Sequence, residues 1–180
     1  NTVSFKVSQN NVSEITDTTV KVVVGKNSDV EAADFTSISY TDVNGTLVTL
    51  NTQTYIQNFL TNGVEVKIPK GSKEAPVITF TVEDDSVYEE LEKLELTIDS
   101  ATNADVSTTA SKATAVINDE DGKTPDDKEG DKPVVSIAAT DAIAVEGIDN
   151  TVSFKVSQNN VSEITDTTVK VVVGTNSDVE

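Results

Sequence analysis

The residues of this chain best suited to chemistry are carboxylates gathered on one stretch, Thr81-Val82-Glu83-Asp84-Asp85-Ser86-Val87-Tyr88-Glu89-Glu90-Leu91-Glu92. Asp84 and Asp85 are adjacent, and Glu89 and Glu92 follow the second of them by four and seven positions. Strand-like sequence flanks the stretch on both sides, so these hard oxygen ligands are expected on a turn between two strands. Ca²⁺ takes six to eight oxygens at about 2.3–2.6 Å, and a turn of this kind can supply several of them. The remaining ligands would have to come from a second loop that the fold brings to the same pole. The competing reading is a solvated acidic rim, the usual state of an isolated charge run.

Other chemistries are excluded by residue type. The chain has no Cys, His, Met or Trp, and its thirteen basic residues are all Lys. Disulfides, thiolate or imidazole metal sites and histidine-based catalysis are therefore out of reach. The formal charge of −18 would repel nucleic acid, and bound divalent cations would relieve it. Paired carboxylates can hydrolyse glycosides. Aromatics make up only 4% of the residues, too few for a sugar-stacking platform, and the acids cluster as metal ligands would. An enzyme is not expected, nor is membrane insertion, since no segment is long and apolar enough to span a bilayer as a helix.

The elements that must position the turn are strands. Val and Thr dominate the composition, which suits a pleated, half-buried surface. Period-two alternation marks residues 2–7 and 19–22, the latter turning continuously apolar over 22–24, and further strand signals occupy 77–82, 94–98 and 113–117. Residues 38–41 and 46–50 flank Asn44-Gly45, and residues 55–60 and 64–68 flank Asn62-Gly63. Asn-Gly favours a type I′ turn, so both pairs are expected to form β-hairpins. No amphipathic helix is expected. Short strands with frequent turn signals predict an all-β fold, an antiparallel immunoglobulin-like β-sandwich.

The chain also repeats itself. Residues 1–31 recur as residues 150–180 with a single change, Lys26 to Thr175, at an offset of 149 positions. Such near-identity implies tandem units in a longer array, cut here at arbitrary points of a 149-residue period. Residues 122–133, GKTPDDKEGDKP, are polar, charged and bounded by proline-containing segments, and are expected to be a flexible acidic linker. A new strand signal begins at Val134 and leads through Val145-Glu146-Gly147 into the second copy of Thr-Val-Ser-Phe. Three parts follow: residues 1–121, a sandwich lacking its own first strand; the linker 122–133; and residues 134–180, the opening strands of the next repeat. The segment from Val134 to Glu146 is expected to fill the vacant place, by folding back across the linker or by strand exchange with another copy. Twelve extended linker residues reach roughly 40 Å, enough to return along a sandwich.

Taken together, Val66-Lys67-Ile68-Pro69-Lys70-Gly71, then Ile78-Thr79-Phe80-Thr81-Val82-Glu83-Asp84-Asp85, Tyr88-Glu89-Glu90-Leu91-Glu92, Leu94-Glu95-Leu96 and the closing Ala113-Thr114-Ala115-Val116-Ile117-Asn118-Asp119-Glu120-Asp121 resemble the Calx-beta domain in order and spacing. Val145-Glu146-Gly147 before Thr151-Val152-Ser153-Phe154 resembles that family's opening. The resemblance implies a seven-stranded sandwich holding Ca²⁺ at one end. It places Asp84, Asp85, Glu89 and Glu92 in the acidic turn, Asp119, Glu120 and Asp121 in the terminal acidic triplet, Asp34 in a loop, and Glu146 at the end of the first strand. The chain departs from the family in having Asn118 where a run of aspartates is usual, and in a long insertion between Ala33 and Val64. Tandem Calx-beta domains imply an extender repeat of a large RTX-type adhesin on the bacterial cell surface, extracellular and stiffened by Ca²⁺, with neighbouring repeats as its partners. The alternative is an adhesive module that binds a ligand or glycan through residues 38–68 and acts by avidity.

Overall fold

The computed structural model describes residues 1–85, 87–117 and 132–174. The chain divides into two compact units, one of residues 1–84 and 91–125, the other of residues 85–90 and 126–180.

The first unit is built from two four-stranded antiparallel sheets. Its strands are β1 (Thr2–Phe5), β2 (Thr18–Val24), β3 (Phe35–Thr41), β4 (Leu47–Leu50), β5 (Val64–Ile68), β6 (Ile78–Val82), β7 (Glu92–Thr102) and β8 (Lys112–Ile117), with one helix, α1 (Gln53–Asn62), before β5. One sheet has the order β1-β6-β3-β4 and the other β5-β2-β7-β8. Both sheets send alternate side chains into one buried cluster: Phe35, Ile38, Ile78 and Phe80 from the first, Val20, Val22, Val66, Ile68, Leu94 and Leu96 from the second. The expected all-β sandwich architecture accounts for this arrangement. Phe80 is its centre, with the rings of Phe5, Phe35 and Phe59 at 5.9, 5.3 and 5.4 Å, spacings at which edge-to-face and tilted aromatic pairs attract.

Two expected hairpins turn out differently. Residues 55–60 are not a strand but the heart of α1. Tyr55 and Phe59 are good strand formers, yet Ile56, Phe59 and Leu60 are spaced three and four apart, which places them on one side of a helix. Ile56 and Phe59 are fully buried while Tyr55 remains 59% exposed. Asn62-Gly63 is consequently no hairpin turn. Gly63 takes φ 63°, its amide donates to the Phe59 carbonyl at 2.7 Å, and it ends the helix. A Cβ at Gly63 would lie 2.0 Å from the Val22 carbonyl oxygen, so β2 also demands glycine there.

The other pair, β3 and β4, is a hairpin, with Thr41 opposite Leu47. Its turn is not type I′, because Gly45 (φ 82°) has positive φ and Asn44 does not. The Gly45 amide donates to the Asp42 carbonyl at 3.0 Å, and the Asp42 amide to the Thr46 carbonyl at 2.9 Å. Asp42 organises this longer loop by accepting the amides of Asn44 and Thr46 on one carboxylate oxygen at 2.9 and 2.8 Å. Those backbone donors, Thr46 foremost, hold its carboxyl below the usual carboxylate range.

The second unit contains β9 (Val135–Asp141) and β10 (Ser153–Gln158), paired antiparallel in a sheet of their own. Within the one chain, residues 135–141 of the segment expected to return into the first sandwich instead pair with the strand that follows them. The physical reason is closeness in sequence, since a short loop costs less entropy to close than a long one. Residues 85–90 group with this unit through Tyr88, whose amide donates to the Val161 carbonyl at 2.9 Å and whose carbonyl accepts from Glu163 at 3.1 Å. Among the described residues no helix is long and apolar enough to cross a membrane.

Candidate metal centre

One pole of the first unit collects the ends of four strands. β3 begins at Phe35 opposite Val82, the last residue of β6, and β7 begins at Glu92 opposite Ile117, the last residue of β8. Asp34 therefore enters β3 where Glu83 and Asp84 leave β6. The Glu83 amide donates to the Asp34 carbonyl at 2.8 Å, tying the aspartate loop to the start of the acidic stretch.

The loop ahead of Asp34 is docked on the start of β7. The Asp29 amide donates to the Lys93 carbonyl at 3.1 Å, and the Lys93 amide donates back to the Asp29 carboxylate at 3.2 Å. The Asp34 carboxylate accepts the Glu31 amide, which fixes its direction. The outcome is that half-buried Asp34 and Glu92, 58 positions apart in the sequence, each place a carboxylate oxygen within 4.8 Å of the other. Two ionised carboxylates this close repel each other, and each could offer one oxygen to a cation.

The remaining expected ligands are distributed as follows. Asp84 is exposed at the end of β6. Asp85 and Glu89 belong to residues 85–90 of the second unit, where the Asp85 carboxylate accepts the Val87 amide at 2.8 Å. Glu146 is exposed in the turn between Val145 and Asp149 of the second unit. Asp119, Glu120 and Asp121 lie outside the described residues. Asp29 was not expected at this pole. Its only signal in the sequence is an aspartate ahead of a turn, which does not reveal that it holds β7.

A second acid matters for the frame and not for the metal. Glu95, in mid-β7, is buried, and its carboxylate accepts from the Asn27 side chain and from the Lys112 ammonium, both at 3.1 Å. The Asn27 hydrogen bond and then the Lys112 pairing hold its carboxyl below the usual range, against the opposing effect of burial. Period-two patterning of Leu94, Glu95 and Leu96 predicts an outward Glu95, and it does lie across the sheet from them. The loop after Gly25 folds over it.

Comparison of the chain with protein-family models, with curated proteins and with solved structures finds no match in any of the three.

Proposed function

We propose that the chain is a calcium-stabilised structural repeat, an extender of the stalk of a large bacterial cell-surface adhesin, with an immunoglobulin-like sandwich of Calx-beta type as its unit. Near-identical sequence 149 positions apart supports repetition for length, since each unit would add reach and no new specificity. The observation that carries the metal part is the approach of Asp34 and Glu92, from different sheets, to within 4.8 Å. Glu89, three residues ahead of Glu92 in the chain, is the third ligand proposed. Asp119, Glu120 and Asp121 follow shortly after Ile117, the register partner of Glu92, and are proposed to complete the set. Ca²⁺ at this pole would bridge loops from both sheets and stabilise the folded chain by binding it alone.

The experiment is thermal unfolding of the chain in Ca²⁺ and in chelator. A higher midpoint in Ca²⁺, saturating with concentration and not reproduced by Mg²⁺, supports the proposal; identical midpoints refute the metal. Small-angle scattering from a chain of several repeats then tests the stalk, which requires a rod and not a coil.

A further inference from the structure

Among the described residues Glu95 is the only buried charged side chain, and the calcium site proposed above does not use it. Its two carboxylate oxygens are divided between two partners. Oε1 accepts from the Lys112 ammonium and Oε2 from the Asn27 side-chain amide, both at 3.1 Å. An amine and a carboxamide are thus held against the two ends of one carboxylate. These are groups whose condensation makes an amide bond. The carboxylate touches both the nitrogen that would attack and the nitrogen that would leave.

The backbone fixes all three residues. Leu94 and Leu96 enter the core, so Glu95 and Thr97 lie on the other face of β7. Register sets Thr114 opposite Glu95 and Lys112 opposite Thr97, which makes Lys112 a diagonal neighbour of Glu95 on one face, within reach of a long side chain. Asn27 sits in the loop after β2, and that loop is fastened to Glu95. The Gly25 amide donates to the Glu95 carbonyl at 2.7 Å, and the Ser28 amide to the Gly25 carbonyl at 3.2 Å. The Ser28 hydroxyl accepts the Glu95 amide at 2.8 Å and donates to the Glu95 carbonyl at 3.2 Å. Asn27 cannot drift from the carboxylate without breaking this set. Thr97 Oγ1, on the same face, is buried with no hydrogen-bond partner among the described residues. Such an orphan hydroxyl calls for an explanation, and it supplies a donor for an oxygen that gains charge when a carboxamide is attacked.

We propose that Lys112 and Asn27 join in an intramolecular isopeptide bond, with Glu95 relaying the protons. The Lys112 ammonium passes a proton to Glu95 Oε1, and the freed Nζ attacks Asn27 Cγ. The Cγ–Nζ bond forms, Glu95 delivers the proton to Nδ2, the Cγ–Nδ2 bond breaks and ammonia leaves. A second Nζ proton follows the same route, so the departing nitrogen ends as ammonium and Glu95 ends ionised, as it began. No oxidant, metal or second molecule enters the balance. Fixed proximity takes the place of concentration, and one turnover per chain is enough. The bond ties the loop after β2 to the first residue of β8 across β7, joining positions 85 apart. Under tension it withholds roughly 290 Å of extended chain. The inference rests on the geometry of the first unit, and it does not depend on calcium.

The test is mass spectrometry of the purified full chain, intact and after digestion at lysine. The bond lowers the intact mass by about 17 Da, the ammonia lost. Digestion is then expected to leave residues 27–67 joined to residues 94–123, uncut after Lys112. Lys112→Arg keeps a cation against Glu95 but offers no amine, and is expected to retain the full mass. Glu95→Gln keeps the shape of the side chain but cannot relay protons. It is expected to form the bond at least about a hundredfold more slowly, the low end of what general acid–base catalysis supplies. An unchanged mass after prolonged incubation of the folded chain overturns the inference. So does the same loss in Lys112→Arg, which marks an asparagine closing on its own backbone. Linked peptides that form as fast in Glu95→Gln overturn the relay. Because metal dependence is read separately from unfolding midpoints, a linked chain without a calcium shift would sustain the bond while refuting the metal.

Discussion

Gly25 and Glu95 occupy one space: a Cβ on Gly25 would lie 2.1 Å from Glu95 Oε1 and 2.7 Å from its Cγ and Cδ. The carboxylate cannot swing away cheaply, because Asn27 and Lys112 hold it and the Glu95 carbonyl accepts the Gly25 amide at 2.7 Å. Gly25→Ala is expected to destabilise the first unit by roughly 1–3 kcal/mol, the usual cost of overpacking, measured by urea unfolding. Combining it with Glu95→Ala should recover part of that loss, since the two changes are directly coupled.

Acid should loosen the same place. A carboxyl whose folded pKa is depressed contributes stability above its unfolded pKa and loses it as pH falls through the folded value. Glu95 is depressed, by Asn27 first and Lys112 second. The wild-type chain is therefore expected to lose stability as pH drops below the ordinary carboxylate range, and Glu95→Gln to lose less over that interval. Unfolding midpoints of the two chains should converge toward low pH. Parallel curves would remove Glu95 from the acid response.

The repeated stretch offers an internal control for core packing. Phe5→Ala removes a ring stacked edge-on against Phe80 and is expected to cost about 3–5 kcal/mol, the range for a buried phenylalanine. Phe154→Ala removes the same residue of the other copy from a largely exposed position and should leave the unfolding of the first unit unchanged. Denaturant curves of the two variants decide this, and equal losses would contradict the burial difference.

The helix can be tested the same way. Phe59→Ala is expected to cost about 3–5 kcal/mol, while Tyr55→Ala, on the outward side, should stay within roughly 0.5 kcal/mol. In a strand, residues 55 and 59 would share a face and respond alike.

For the acidic pole, Asp34→Asn and Glu92→Gln are each expected to abolish most of the Ca²⁺-induced rise in melting temperature. In chelator the variants should stay close to wild type, since the repulsion each removes is set against the carboxylates' other contacts, such as the Glu31 amide on Asp34. A full calcium shift in both variants would place the metal elsewhere.

Much of this architecture is legible in the residues. Alternation in β2, β5 and β6 reports burial of one face directly, and the acids near Glu92 stand out because they make up six of the ten residues 83–92. Helix α1 was hidden by its own composition: Tyr55, Ile56 and Phe59 favour strands in isolation, and only the three-to-four spacing of the buried members favours a helix. Gly63 correctly signalled positive φ, but a positive φ ends helices as readily as it turns hairpins. The pairing of Asp34 with Glu92 has no local signal, since it depends on how the ends of β3 and β7 meet at one pole; only the resemblance to Calx-beta domains pointed to Asp34. The pairing of β9 with β10 was missed for a different reason. Strand signals do not say which edge a strand joins, and here it joins the nearer partner in the chain.

That nearer partner bears on how such a chain could assemble without error. The first twenty-five residues of each copy are identical, so side chains give a β9-like strand no means of telling its own partner from a neighbour's. Chain connectivity must make the choice. Closing the eleven residues between Asp141 and Ser153, instead of a loop longer by a further 149, favours the local partner by only about 2.4 kcal/mol, a ratio of roughly fifty to one. In a tandem array, crossed pairing between adjacent units would then be a standing minor product of folding, suppressed by synthesis that delivers each strand beside its own mate before the next copy exists.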